Sequence, residues 1–83
     1  MFTYKTKGTC SSKIDIEIVD NIIKDVKFTG GCNGNLKGIS KLVCGMNIDD
    51  VIYRLSGTIC GNKETSCPDQ LAKALISYKN ETN

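Results

Sequence analysis

The hydrophobic period of this chain changes once, at Gly30-Gly31, and that change limits the folds open to it. Ahead of it, Ile14, Ile16 and Ile18 alternate with Asp15 and Glu17, Asp20-Asn21 interrupts, and Ile22, Val26 and Phe28 continue on alternate positions with Asp25 and Lys27 facing the other way. A period of two with one apolar side reads as a β-hairpin with one buried face. Phe2, Tyr4 and Thr6 also alternate with Thr3, Lys5 and Lys7, which predicts a further strand ending at Gly8. Beyond the change, Leu36, Ile39, Leu42 and Val43 recur at helical spacing up to a stop at Gly45. Ile48, Val51, Ile52 and Leu55 fall at i, i+3, i+4 and i+7 behind an Asn47 cap, with Asp49 and Asp50 in the first turn, where the helix dipole favours acids, and Gly57 at the end.

Residues 57 to 64 have no period and read as a loop, after which Ser66-Cys67-Pro68-Asp69 opens a third helix. Serine three residues ahead of an acid resembles a capping box, and proline suits a first helical turn. Leu71, Leu75 and Tyr78 form its apolar stripe, so it is expected to run to about Tyr78, with residues 79–83 as a fraying polar tail. Tyr4, Tyr53 and Tyr78 are expected at the core or its boundary. Three strands followed by three helices predict an α+β fold in which the helices pack on one face of an antiparallel sheet, as a single domain over residues 1–83.

A chain of 83 residues buries only about 60–65% of its unfolded surface, so its core is small. Small domains often add a staple, and the five cysteines are the candidates here. The N-terminal residues lack the apolar run of a secretory signal, and no run approaches a membrane span, so the expected location is the cytoplasm. There, clustered cysteines bind metal or do chemistry more often than they form disulfides. The net charge of +2 comes from 11 basic and 9 acidic residues scattered along the chain, so nothing points to duplex nucleic acid or a membrane as partner. Histidine is absent, which removes the commonest acid/base group and the commonest zinc ligand besides thiolate.

Four cysteines lie at element ends: Cys10 in the turn between strands, Cys32 between the last strand and the first helix, Cys60 in the long loop, and Cys67 at the start of the third helix. Converging there, they would make a tetrahedral thiolate site for zinc or an iron–sulfur cluster, although no CxxC pair occurs among them. Cys44, inside Leu42-Val43-Cys44, is expected to serve as a small packed hydrophobe. A thiol in a first helical turn faces free N–H groups, which makes Cys67 the most reactive of the set. Gly31, Asn33, Gly34 and Gly61, with Ser66 and Asp69, are candidates to let backbone approach the sulfurs or to cradle a phosphate.

The residues Thr65-Ser66-Cys67-Pro68-Asp69, together with Gly31-Cys32-Asn33-Gly34, Cys60-Gly61 and Gln70-Leu71-Ala72, resemble the TSCPD domain family over nearly the whole chain. The resemblance is to its small stand-alone branch, whose four-cysteine pattern falls on Cys10, Cys32, Cys60 and Cys67. TSCPD domains occur as C-terminal parts of adenosylcobalamin-dependent ribonucleotide reductases, so the resemblance implies a link to ribonucleotide reduction and DNA synthesis. A chain of this size has no room for a radical-bearing barrel, and an accessory or regulatory module serving the reductase is the role implied, rather than a ribonucleoside-diphosphate reductase itself.

A second, fainter similarity is to U-type iron–sulfur scaffold proteins, carried by the strand-then-helix layout, Cys10, Cys32, Leu42 to Gly45 and Cys67. It implies an iron–sulfur scaffold or carrier that serves a client protein. Two further readings stand beside these: a dithiol redox protein using Cys60 and Cys67, and a nucleotide- or phosphate-binding regulatory module using the Gly30 to Gly38 loop.

Overall fold

Asp20 and Asn21 both take positive φ, 53° and 64°, as a two-residue type I′ hairpin requires. In the computed structural model, which describes residues 1–31, 33–59, 61 and 64–82 apart from the side chains of Asn33 and Thr82, they join β2 (Ser11–Val19) to β3 (Ile22–Gly30). β1 (Phe2–Lys5) pairs with the other edge of β2, giving an antiparallel sheet in the order β1-β2-β3. The first strand is shorter than the alternation suggests, although Thr6 still donates its N–H to the Ser12 carbonyl at 3.2 Å.

Two bulges set the phase of the buried face. Glu17 faces Asp25 while Ile18 faces Ile23, so Lys24 is an extra residue in β3. Ile23 and Val26, three apart, are therefore both buried, and Ile22 is only half-buried. This corrects the expectation of strict alternation from Ile22. The second bulge lies at the start of β2, where Ser11 faces Gly30 and Lys13 faces Thr29, leaving Ser12 extra. It turns Ser11 to the same side as Ile14, and both are buried.

α1 (Asn33–Val43), α2 (Ile48–Leu55) and α3 (Cys67–Thr82) follow the sheet, and Val43, Ile48, Val51, Leu71 and Leu75 pack against Ile14, Ile16 and Ile23. Gly45, at φ 88°, ends α1 in the left-handed conformation that glycine tolerates. The connection from α1 to α2 then closes over the free edge of the hairpin: Gly45 donates to the Ile23 carbonyl, Ile23 to that of Met46, and Ile48 to that of Asn21, at 2.8–3.0 Å. Asn47 caps α2 by accepting the Asp49 N–H at 2.9 Å.

Four expectations are corrected in the helices. Leu42, placed on the apolar side of the first helix by its spacing, is 77% exposed, and Tyr53 is 87% exposed on the outer side of α2. Cys44 lies just past the end of α1 and is exposed, so it is not a packed hydrophobe. α3 does not fray at Tyr78 but continues to Thr82. Tyr78 meets Phe2 of β1 edge-on with ring centroids 5.5 Å apart, and Lys79 pairs with Asp49 of α2, which ties down the last turn. No helix of the described residues is long and apolar enough to cross a membrane.

Candidate functional site

The start of α3 is held by side chains that are polar yet buried. Ser66 is the cap: its Oγ accepts the Asp69 N–H at 3.2 Å and donates to the Thr58 carbonyl. That is half of the capping box expected from the sequence. The Asp69 carboxylate turns elsewhere, accepting the Gly57 N–H at 2.7 Å through Oδ1 and the Thr65 hydroxyl at 2.5 Å through Oδ2, with the Lys73 ammonium at 3.3 Å. Gln70 donates through Nε2 to Thr65 Oγ1 at 3.1 Å and accepts the Lys7 N–H at 3.0 Å.

Thr65, Ser66, Asp69 and Gln70 are each at least nine-tenths buried, and their bonds tie the helix start to the β1–β2 loop through Lys7 and to the α2–α3 loop through Gly57 and Thr58. The bond from Thr65 holds the Asp69 carboxyl below its ordinary range; burial opposes this, and the Gly57 N–H and Lys73 reinforce it.

Cys67 takes a different part. It is the first residue of α3, half-buried, and it lines a groove of about 460 Å³ together with Cys10, Gly34, Gly38, Leu42 and Pro68. Cys10, exposed in the turn ahead of β2, is brought to the same groove from the far end of the chain. Cys67 Sγ lies 3.2 Å from the hydroxyl of the buried Ser11. None of the described residues lining the groove carries a charge.

Gly31 has φ 83°, and a Cβ there would come within 2.8 Å of Leu36 Cδ1 and 3.2 Å of the Ser11 nitrogen, so the loop ahead of α1 lies directly on the strand that carries Ser11. Asn33 opens α1, and Gly34, one residue on, borders the groove with nothing within 4 Å of a Cβ among the described residues outside its own helix backbone. Gly61, at φ 57°, likewise has nothing within 4 Å of a Cβ among the described residues.

Of the four cysteines expected at one site, the structure brings Cys10 and Cys67 to one groove, while Cys32 and Cys60 lie outside the described residues. Among the described residues no three His, Cys, Asp or Glu side chains gather closely enough to hold a metal ion. Ser66 and Asp69 stand beside the groove, but their side chains are committed to Thr58, Gly57, Thr65 and Lys73. Sequence reasoning missed Ser11, Thr65 and Gln70. Ser11 and Gln70 find partners remote in the chain, Cys67 and the Lys7 N–H, and the Ser12 bulge turns Ser11 inward, whereas Thr65 bonds Asp69 and Gln70 within the motif itself. No curated protein and no solved structure matches the chain. The family model for the TSCPD domain matches residues 2–79, nearly the full length, and the chain belongs to the TSCPD domain family.

Proposed function

We propose that the groove between α1 and the start of α3 is a soft-metal centre, with Cys10, Cys32, Cys60 and Cys67 as ligands, in an accessory module serving ribonucleotide reduction. The observation that carries this reading is the meeting of Cys10 and Cys67, from opposite ends of the chain, in one groove. Gly31 and Gly34, on either side of Cys32 in the sequence, lie at that groove or against its wall.

The donors fit a soft ion: cysteine sulfurs are offered, the chain has no histidine, and no carboxylate lines the groove among the described residues. An uncharged lining gives the phosphate reading no counter-charge, so the metal reading is favoured over it. Bound there, zinc would supply a structural cross-link, and a cluster would add a one-electron couple. The chain's own part is to hold Cys67 on a capped helix start and Cys10 on the turn ahead of β2. The connection to ribonucleotide reductase rests on the other TSCPD domains, which occur at the C-terminus of adenosylcobalamin-dependent reductases.

Anaerobic purification followed by metal analysis and visible spectroscopy tests the proposal. One equivalent of zinc in a colourless protein, or cluster absorption, is the expected result. Cys10→Ser and Cys67→Ser should each abolish retention while Cys44→Ala keeps it. Full metal occupancy in Cys67→Ser would overturn the assignment, and a metal-free protein with two readily oxidised thiols would favour the dithiol reading.

A further inference from the structure

The sulfur of Cys67 has a built hydroxyl partner that the four-cysteine reading does not use. Ser11 Oγ is 3.2 Å from Cys67 Sγ and 3.2 Å from Thr9 Oγ1, and the Thr9 hydroxyl in turn reaches the Ser11 carbonyl at 3.2 Å. That carbonyl also accepts the Thr6 hydroxyl at 2.5 Å, so it keeps a donor if Thr9 turns away. Ser11 is 4% exposed, and its inward direction is set by the extra residue Ser12 in β2. A bulge that aims one hydroxyl at one sulfur is the kind of local irregularity that re-aims a side chain beside a site.

Counting protons ties the directions to one another. Each hydroxyl has one proton to give. With Thr9 donating to the Ser11 carbonyl, Ser11 must donate to Thr9 Oγ1, which leaves its lone pair to accept the Cys67 S–H. Once the sulfur has no proton, as a ligand to the soft ion proposed above, Ser11 is free to turn its O–H onto the sulfur, and Thr9 can turn its own onto Ser11 Oγ. The proton displaced from the thiol leaves to solvent. No buried group is stranded in either arrangement.

We infer that Ser11, supported by Thr9, is a positioning residue that holds the Cys67 sulfur through a reversible two-hydroxyl relay, accepting from the thiol and donating to the ligand. The donating arrangement rests on the metal reading, whereas the accepting one does not. Hydrogen bonds to a ligating atom orient it and tune the metal, and losing such a partner typically costs about 10- to 100-fold in affinity.

The test therefore has two arms. In metal-free, reduced protein the S–H stretching band of Cys67 is identified by its loss in Cys67→Ser. Ser11→Ala should move that band to higher frequency, and Ser11→Thr should restore it. In cobalt-loaded protein, Ser11→Ala should shift the thiolate-to-cobalt charge-transfer band to lower energy and weaken metal retention about 10- to 100-fold, with Ser11→Thr again restoring both. A purely structural role for Ser11 would move neither band. If Ser11→Ala does not fold, Thr9→Val, which removes the second hydroxyl from the half-buried position beside it, should shift the S–H band in the same sense by a smaller amount. An unmoved S–H band in a folded variant overturns the relay. Failure of wild-type protein to bind cobalt overturns the metal centre, and with it the donating arrangement, while the first arm still decides whether Ser11 holds the thiol.

Discussion

Asp69→Asn is the sharpest probe of what the buried part of the motif does. The substitution is nearly isosteric, and its amide oxygen can still accept the Gly57 N–H. At the other oxygen an NH₂ group would replace the acceptor of the Thr65 hydroxyl and would also face the Lys73 ammonium. A hydrogen bond to a charged group contributes about 1.5–3 kcal/mol. The ion pair adds under about 1 kcal/mol, because Lys73 is half exposed. The expected loss is therefore about 2–3 kcal/mol at neutral pH. For a domain of this size each kcal/mol moves the midpoint by about 4–8 °C, so the variant should melt about 10–20 °C lower.

The pH dependence separates this account from a general packing defect. The folded-state carboxyl of Asp69 lies below the ordinary value of 3.8, so its contribution is fully present above that value and is lost as pH falls through the lowered one. Asn does not titrate. The gap between wild type and Asp69→Asn in thermal unfolding followed by circular dichroism should therefore be constant from pH 7 to about 5 and narrow in stronger acid. Thr65→Val removes the same bond from the other side, and its cost should add to that of Asp69→Asn by much less than the sum of the two. Equal melting of wild type and Asp69→Asn at pH 7, or a gap that persists unchanged into acid, would refute the reasoning.

Three further outcomes are expected. Gly31→Ala should destabilise by about 1–2 kcal/mol or more, since φ is positive and the new methyl meets Leu36 and the Ser11 backbone, whereas Gly38→Ala, in mid-helix with nothing within 4 Å among the described residues, should stabilise by about 0.5–1 kcal/mol; urea midpoints compare the two. Asn47→Ala should cost about 1 kcal/mol by loss of the α2 cap, read in the same assay. Cys44→Ala should change stability by less than about 0.5 kcal/mol, and in wild-type protein Cys44 should be alkylated readily under native conditions, as mass spectrometry of the labelled peptides would show.

The parts of this fold that were legible in the sequence are those whose cause is local. Asp20-Asn21 between two alternating runs encodes its own turn, and Asn47 ahead of Asp49-Asp50 marks α2 to the residue. What was hidden depends on partners remote in the chain. The Lys24 bulge exchanges Ile22 for Ile23 in the core, yet no residue type at that position announces an extra residue. Helical spacing likewise shows that α1 has an apolar stripe, but not how wide a strip the sheet covers, and Leu42 falls outside it. At the site, sequence position alone put Cys67 at a helix start. It did not separate the residues that build that start from the one that lines the groove.

That separation has a physical basis in where each side chain's hydrogen bonds end. A buried polar network rigidifies a structure when every member is satisfied and destabilises it steeply when one is removed. Thr65, Ser66, Asp69 and Gln70 spend their capacity on Gly57, Thr58, Lys7 and one another, so they are occupied before any ligand arrives. Cys67 is a weak donor and acceptor, contributes little to such a network, and sits where the capped backbone holds its Cα still while its sulfur meets the groove and Ser11. Substitutions in the same short motif should accordingly fall into two kinds. Those at Thr65 or Asp69 should lower stability whether or not metal is present, and Cys67→Ser should leave the metal-free protein close to wild type in stability while removing the response to metal that the proposed centre requires.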